Sequence, residues 1–263
     1  MRFRVLACDY DRTIAQHGLV SPAALASLVR VRESGRRLIL ATGRTRGQLE
    51  PVMGAVAALF DRLVLENGAV LLDPATGRDR LLCEPIPARF VEELRRREAG
   101  PLVVGRGMVS TGLAHLGAVE AVIAGLRLDL HTVVNIDTVM ALPSRVSKAS
   151  GAREALTELG EEAAACVAVG DGENDVALLE MAGCGVALAN SLPAVMAVAD
   201  LVMPLPNGAG VAALAGRLVA DDLATVSGNV RGRPGAATAA SRNRGRDVGE
   251  PSPPEHEGVM PPG

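Results

Sequence analysis

Residues 3–13 read FRVLACDYDRT, and this stretch decides the fold of the 263-residue chain. Its first half is an apolar run that predicts a buried β-strand over residues 3–8. The strand ends directly in two carboxylates, Asp9 and Asp11, which stand two residues apart. Because buried carboxylates repel each other, holding them close is costly unless a cation or phosphate chemistry lies between them. A solvated turn that happens to be acidic is the alternative interpretation.

Short apolar runs alternate with helical patterns along most of the chain. A helix begins at Pro22, after Ser21 as N-cap, and ends at Gly35. Further strands are predicted over 38–41, 63–65, 167–169, 186–188 and 201–205, with helices through 180 and over 193–199 and 211–223. Because every strand is apolar throughout, the pattern predicts an α/β fold with a doubly wound parallel sheet. Such sheets place their sites at the carboxyl ends of the strands.

The pattern changes between about residues 73 and 143, where strands are predicted over 81–83, 102–104, 133–136 and 139–142. Helices are predicted over 90–97 and 116–126, and the last two strands form an antiparallel hairpin. We therefore assign residues 1–72 and 144–225 to a Rossmann-like core and residues 73–143 to an inserted α+β cap domain. Residues 226–263 are rich in Gly and Pro with no Leu, Ile or Phe, which predicts a disordered tail.

The composition excludes several functional classes. A net charge of −3 argues against a nucleic-acid binder, and 2% aromatic residues leave little to stack on bases. The four cysteines lie far apart without zinc spacing, which favours buried thiols in a reducing cytosol. No apolar run approaches the 18 residues of a membrane span, and no signal peptide is recognised at the amino terminus. We predict a cytoplasmic protein that binds neither nucleic acid nor membrane.

The strand over 38–41 is followed by Thr42-Gly43-Arg44. A hydroxyl, a glycine amide that can approach closely and a guanidinium make a cradle for phosphate oxygens. The alternative is an ordinary strand-to-helix turn in which Thr42 caps the helix.

The strand over 167–169 is followed by GDGEND at residues 170–175. Asp171 and Asp175 stand four residues apart, close enough to share one hard cation. Acids at a helix N-terminus also stabilise the helix dipole, but capping does not explain three acids and an amide beside glycines.

Lys148 is the one lysine among 27 basic residues. A lysine is usually a solvated surface charge, but arginine supplies that charge everywhere else in this chain. A site that needs the compact ammonium group of lysine, rather than the planar guanidinium of arginine, would retain lysine. Carboxylates for a divalent cation, donors for phosphate oxygens and one cation are the parts that phosphoryl transfer requires.

The four motifs, in this order, resemble those of the haloacid dehalogenase (HAD) superfamily of phosphatases. They are Asp9-Tyr10-Asp11-Arg12-Thr13, Thr42-Gly43-Arg44, Lys148 and residues 170–175, and they span the chain to about residue 223. The stretch Glu66-Asn67-Gly68-Ala69 and the insert resemble the Cof-like branch, which carries an α/β cap. The small cap is similar to those of phosphoglycolate and sucrose phosphatases, which implies a small organic or sugar phosphate as substrate.

The resemblance implies a role for each motif residue. Asp9 would be the nucleophile that forms an aspartyl-phosphate. Asp11 would protonate the leaving oxygen and then deprotonate the water that hydrolyses the intermediate. The Mg²⁺ cofactor would be held by Asp9, the backbone carbonyl of Asp11 and Asp171, with Asp175 in support. Phosphoryl binding and orientation would fall to a further set of residues: Thr42, Gly43, Arg44, Lys148 and Asn174.

The motifs also allow other functions. The family's dehalogenases lack an acid at the position of Asp11, so hydrolysis of a phosphate ester is favoured over dehalogenation. A phosphomutase of the same superfamily, or a non-catalytic phosphate-binding module, could carry the same motifs. Arg12 stands where the family usually has glycine, and we expect its side chain to point into solvent. The sequence predicts no oligomeric state.

Candidate substrate contacts in the cap can also be named from the sequence. They are Arg106, His115, His131 and Asp137, and exposure on the surface is the competing interpretation for each.

Overall fold

The computed structural model of the protein describes residues 1–224, so the predicted disordered tail lies outside the described residues. The strands are β1 (Val5–Asp9), β2 (Ala15–Gln16), β3 (Leu19–Val20), β4 (Arg37–Ala41), β5 (Arg62–Leu65), β6 (Val70–Leu72), β7 (Asp79–Leu81), β8 (Val103–Val104), β9 (Val109–Gly112), β10 (Leu130–Asn135), β11 (Thr138–Pro143), β12 (Cys166–Gly170), β13 (Cys184–Ala187) and β14 (Leu201–Val202). The α-helices are α1 (Pro22–Glu33), α2 (Arg46–Met53), α3 (Ala88–Arg96), α4 (Leu116–Gly125), α5 (Lys148–Glu158), α6 (Val176–Met181), α7 (Pro193–Val198) and α8 (Asn207–Asp221).

The central sheet has the strand order β14-β13-β12-β1-β4-β5-β6-β7. The first six of these strands pair in parallel, and β6 and β7 add to the edge in antiparallel pairing. The predicted doubly wound α/β sheet is therefore confirmed, with β1 at its centre. All five residues of β1 are buried, as expected for a strand that is apolar throughout.

Successive side chains of a strand point to opposite faces of the sheet, and helices pack against both faces. Leu6 and Cys8 of β1 belong to an aliphatic core that also contains buried residues of α1 and α8. Val5 and Ala7 belong to a second core that contains buried residues of α5 and α6. Helices on both faces leave the ends of the strands as the accessible part of the sheet, which is where polar side chains can meet.

The insert builds a second sheet with the order β10-β11-β9-β8, in which all pairs are antiparallel. The hairpin expected at the end of the insert is confirmed as β10 and β11. Helices α3 and α4 contribute buried residues to the core of this unit. One strand of the predicted insert behaves differently: β7 pairs with β6 and extends the central sheet. The separate cap sheet therefore begins after β7.

The structure also adds elements that the sequence pattern did not predict, namely α2, α5, β2, β3, β6 and β9. Helix α2 carries Pro51 within it, and β9 reads VSTG without a continuous apolar run. Such segments lack the periodicity that marks a helix or a strand. Among residues 1–224, none of the helices combines the length and the apolar character needed to cross a membrane.

Gly68 determines how closely α5 approaches the central sheet. It lies in a 3-10 turn between β5 and β6 and has a φ of +107°. A Cβ at this position would lie 2.0 Å from the carbonyl oxygen of Ser147. Only glycine fits there, because the contact is with backbone and the φ is one that other residues rarely adopt.

Gly68→Ala should therefore lower the free energy of unfolding by about 2–4 kcal/mol, because the backbone before α5 must move to accept the methyl group. Urea unfolding followed by circular dichroism measures this change. Gly117→Ala in α4 is the control: nothing lies within 4 Å of its Cβ position. That variant should gain up to about 1 kcal/mol from helix propensity. Equal effects of the two substitutions would contradict the close-approach argument.

Candidate active site

Three neighbouring strands of the central sheet end in polar residues that the sequence singled out. Asp9 ends β1, Thr42 follows β4, and Asp171 follows β12. The order β12-β1-β4 places these strands side by side and parallel. Because the carboxyl ends of parallel strands meet at one edge, the first, second and fourth motifs share one site.

Lys148 completes this edge from the first position of α5. Its Nζ donates to Oδ1 of Asp9 at 2.5 Å and to Oδ1 of Asp175 at 2.7 Å. The lysine side chain is 1% exposed, and both carboxylates are buried with it. The hydroxyl and backbone groups of Ser147 and Ser150 exchange hydrogen bonds in a capping box, which fixes the start of α5. Helix capping thus aims the one lysine of the chain at the end of β1.

Burial controls the electrostatics of this cluster. Burial raises the pKa of Asp9, Lys148 offsets part of that effect, and the charges of Asp175 and Asp171 add to it. For Lys148, burial alone would lower the pKa, but the attraction of Asp175 and Asp9 outweighs burial and holds the pKa above its ordinary value. The ammonium group therefore stays protonated and serves as the permanent counter-charge of the site.

Asp171 extends the acidic cluster on the β12 side. Thr13 Oγ1 donates to Asp171 Oδ1 at 3.1 Å, and Arg12 Nε lies 3.2 Å from Oδ2. Burial raises the pKa of Asp171 to about 6, the charge of Asp175 adds to this, and Arg12 opposes it. Arg12 was expected to point into solvent; its side chain is partly exposed, but its guanidinium pairs with this buried carboxylate.

The acidic cluster fits a divalent cation. Asp9, Asp171 and Asp175 are buried, and each offers a carboxylate oxygen within 4.8 Å of the others. Oxygen ligands of this kind suit Mg²⁺. Both oxygens of Asp175 already accept bonds, Oδ1 from Lys148 and Oδ2 from the backbone N–H groups of Asp171 and Gly172. Through these bonds Asp175 holds the loop that carries Asp171, and the resemblance implies Asp9 and Asp171 as the direct ligands among the three carboxylates.

The turn after β4 has the character of a phosphate cradle. Thr42 is buried, and its Oγ1 accepts from the backbone N–H of Arg44 at 3.2 Å. Thr42 does not cap α2, because the N-cap of that helix is Thr45. A Cβ at Gly43 would lie 3.3 Å from Asn67 Nδ2 and 3.4 Å from the sulfur of Met140 in β11. The cap sheet therefore reaches down to the glycine of the cradle.

Arg44 is engaged differently from the phosphate contact that the sequence suggested. Its Nε donates to Oδ2 of Asp11 at 2.8 Å, and its Nη2 donates to Oδ1 at 2.7 Å. The guanidinium also lies over the ring of Tyr10, 5.1 Å from its centroid. A two-point bond between planar groups fixes both position and orientation. In this structure Arg44 holds Asp11, the residue that would act as acid and base.

Asn174 connects the fourth motif to the turn between β5 and β6. Its Nδ2 donates to Oδ1 of Asn67 at 3.0 Å, and Asn67 Nδ2 contacts the sulfur of Met140 at 2.7 Å. Asn67 is 1% exposed and has a positive φ of 53°. Asn135, at the end of β10, has its Oδ1 3.0 Å from the Cβ position of Gly172. Asn174 and Asn67 thus link the fourth motif to Met140 of the cap sheet.

Of the residues proposed from the sequence, the structure groups Asp9, Asp171, Asp175 and Lys148 in one buried cluster. It pairs Arg44 with Asp11 and Asn174 with Asn67. Two further residues that contact these groups were not predicted. Asn67 lies within the quoted stretch at residues 66–69 without having been given a role. Asn190 donates to the carbonyl oxygen of Arg12 at 2.9 Å and lies 3.4 Å from Oδ2 of Asp171. It follows β13, so the rule that sites lie at the carboxyl ends of strands could have found it.

The four candidate substrate contacts in the cap lie in separate places. Arg106 forms an ion pair with Asp79 of β7. His115 ends a 3-10 turn before α4, and His131 lies in β10 with a buried Nδ1 that has no hydrogen-bond partner. Asp137 lies in the turn between β10 and β11, next to the Asn135 end of β10. Asp137 is therefore the one nearest to the strand end that contacts the fourth motif.

Comparisons with known proteins point to one family. The family model of haloacid dehalogenase-like hydrolases matches residues 132–214. Phosphoglycolate phosphatase 2 of Saccharolobus solfataricus is 29% identical over 79% of this chain and 88% of its own. A phosphoglycolate phosphatase of Methanopyrus kandleri is 36% identical over 42% of this chain and 43% of its own. The crystal structure of a haloacid dehalogenase-like hydrolase from Bacteroides thetaiotaomicron matches with a TM-score of 0.71 at 20% identity, over 82% of this chain and 99% of that one.

Lys148→Met keeps the length of the side chain but leaves Asp9 and Asp175 buried without their counter-charge. The free energy of unfolding should fall by about 3–5 kcal/mol, as measured by urea unfolding. Adding Asp175→Asn to this variant should recover part of the loss, because one of the two uncompensated charges is gone. Losses that simply add in the double variant would contradict a charge-balance role for Lys148.

Proposed function

Because the chain is a phosphatase of the haloacid dehalogenase superfamily, in its Cof-like branch, we propose that it hydrolyses a small phosphate monoester with Mg²⁺ through an aspartyl-phosphate. One observation carries this proposal. A buried carboxylate, Asp9, is held by the ammonium of Lys148 at the sheet edge where Thr42 and Asp171 also lie. This arrangement supports Asp9 as the nucleophile, with Lys148 as its counter-charge and Thr42 as a donor for phosphate oxygens.

The first step is attack by an Asp9 carboxylate oxygen on the phosphorus atom, with cleavage of the bond to the ester oxygen of the substrate. The bond from Lys148 to Oδ1 restrains Asp9, so that its orientation is set before substrate binds. Asp11 donates a proton to the departing oxygen, which leaves as an alcohol.

The second step reverses the role of Asp11. Its carboxylate takes a proton from a water molecule, whose oxygen attacks the phosphorus of the aspartyl-phosphate. The bond between phosphorus and Asp9 breaks, and inorganic phosphate and the free carboxylate are restored. A bond from Arg44 to one Asp11 oxygen positions the carboxyl for both transfers, while the other oxygen, which carries the transferred proton, must be released from its N–H donor.

The remaining residues bind the phosphoryl group and balance its charge. The hydroxyl of Thr42 and the backbone N–H of Gly43 are the donors for its oxygens, and Asn174 is held beside them by Asn67. Mg²⁺, held by Asp9 and Asp171 with the Asp11 carbonyl, would supply positive charge that stabilises the phosphoryl oxygens in the transition state.

The cap favours a small leaving group. Met140 reaches the cradle at Gly43, and Asn135 reaches the fourth motif at Gly172. A substrate must therefore fit beneath these two contacts. The two curated relatives described above both bear the name phosphoglycolate phosphatase. We take a short phosphorylated acid as the first substrate to test and a sugar phosphate as the second. The free thiols of the four cysteines are compatible with the cytoplasmic location that the sequence predicts.

Asp9→Asn should abolish turnover, by at least about a thousandfold, because the amide cannot form the covalent intermediate. The assay is release of inorganic phosphate from p-nitrophenyl phosphate and phosphoglycolate, with and without Mg²⁺. Glu92→Gln, at an exposed position of the cap helix α3, is the control and should keep wild-type rates. Turnover of Asp9→Asn within about tenfold of wild type would contradict the proposed mechanism.

The substrate and the reaction type are tested with the same wild-type enzyme on a panel of phosphorylated acids and sugars. Release of inorganic phosphate supports a phosphatase. Transfer of phosphate between two positions of a sugar without net release would instead identify a phosphomutase. Binding of phosphate esters without either reaction would identify a non-catalytic module.

Arg44→Lys should lower kcat more for phosphoglycolate than for p-nitrophenyl phosphate, because only the alkyl leaving group needs a well-placed acid. A lysine cannot reproduce the two-point bond to Asp11. We expect a loss of about 10–100-fold with the alkyl ester and a smaller loss with the aryl ester.

Arg46→Lys is the control for that variant, since Arg46 lies on the same segment but pairs with Glu50 and Asp79. It should keep both rates. If Arg44 instead binds the phosphoryl group, KM should rise equally for the two esters. That result would contradict the positioning role and restore the phosphate contact suggested by the sequence.

A further inference from the structure

Arg12 occupies a strained turn at the rim of the acidic cluster. Its φ is +60°, a backbone conformation that residues other than glycine rarely adopt. Three contacts hold it there. Its Nη2 donates to the carbonyl oxygen of Asn190 at 3.2 Å, its own carbonyl accepts from Asn190 Nδ2, and its Nε pairs with Asp171. Both the guanidinium and the backbone carbonyl of Arg12 are held by these contacts. A residue fixed in a strained conformation in this way points to a role at the site.

The guanidinium and a divalent cation would share one carboxylate. Asp171 Oδ2 lies 3.2 Å from Arg12 Nε and 3.4 Å from Asn190 Nδ2, while Oδ1 accepts from Thr13. Both oxygens of this carboxylate are thus already in contact with protein donors. A cation binding to Asp171 must do so beside a fixed positive charge, which it repels.

The charge of the site shows how much Arg12 matters. Asp9, Asp171 and Asp175 carry three carboxylates, and Lys148 supplies one buried positive charge. Arg12 supplies a second positive charge from a side chain that is 39% exposed, so that solvent screens part of its effect. With glycine in its place, as in the motif that this turn resembles, the site would carry one more unit of negative charge.

We propose that Arg12 is a residue that weakens and tunes Mg²⁺ binding: its guanidinium neutralises part of the charge of Asp171, stabilises the metal-free protein and lowers the affinity of the site for the ion. This inference rests on the metal site of the proposed function. It assigns to Arg12 no contact with substrate and no part in proton transfer. Its consequence is that the enzyme requires a higher free Mg²⁺ concentration than one with glycine at this position.

The test measures Mg²⁺ binding directly, without substrate. Arg12→Gln removes the charge and keeps a side chain at the strained φ, whereas Arg12→Gly also relieves the strain. Isothermal titration calorimetry with MgCl₂ should show about tenfold tighter binding for both variants than for wild type. Arg37→Gln removes the same net charge from an ion pair with Asp61 at the opposite end of β4 and should bind Mg²⁺ like wild type.

Thermal unfolding gives a second readout that does not depend on activity. Without Mg²⁺, Arg12→Gln should melt below wild type, because the carboxylates have lost a counter-charge. Saturating Mg²⁺ should then raise its melting temperature more than that of wild type. Arg12→Gly provides the same comparison if the glutamine variant folds poorly.

The outcomes separate this inference from the proposed function. Unchanged or weaker Mg²⁺ binding by both Arg12 variants, with clear binding by wild type, overturns the tuning role and leaves the phosphatase proposal standing. No Mg²⁺ binding by wild type overturns both the metal site and the role of Arg12. Tighter binding in the Arg12 variants, with no change in Arg37→Gln, supports the proposal.

Discussion

The Nζ atom of Lys148 lies between Asp9 and Asp175, and the arrangement of three chain segments depends on these two bonds. Asp9 ends β1, Asp175 lies in the turn after β12, and Lys148 begins α5. Each of the three groups would be expensive to bury alone, because a buried charge without a partner loses its hydration. Together they tie the strand, the turn and the helix into one unit, so that stability and catalytic geometry rest on the same ion pairs.

Close backbone approaches make these bonds possible. At Gly170 a Cβ would lie 2.4 Å from Cγ of Asp175, so only glycine lets that carboxylate turn back over the strand end. At Gly151 a Cβ would lie 2.7 Å from the Cα of Gly68, which itself lies against the carbonyl of Ser147. The glycines bring α5 and the β12 turn within reach of Asp9. The site therefore depends on glycines that allow close backbone approach as much as on its polar side chains.

How far the sequence predicts the molecule differs between its parts. Strands such as β1 and β12 are apolar throughout, so periodicity and the carboxyl-end rule predicted the sheet and the motifs at its edge. The partners of Arg12 and Arg44 were not predictable, because Asp171 and Asn190 are more than 150 residues from Arg12 along the chain, and Arg44 could equally have faced phosphate. The strand β7 was assigned to the insert because its partner β6 had not been recognised, and pairing rather than propensity decides a short strand.

The distribution of the basic residues follows from the same physics. This chain uses arginine almost everywhere, and at Arg44 the planar fork suits a half-exposed carboxylate that it can bind at two points. Between Asp9 and Asp175 the demands differ, because two oxygens from separate segments lie 2.5 and 2.7 Å from one buried nitrogen atom. A compact ammonium group can donate in both directions from one atom, whereas a guanidinium would push the two carboxylates apart. The single lysine of the sequence therefore lies at a place where an arginine would not fit.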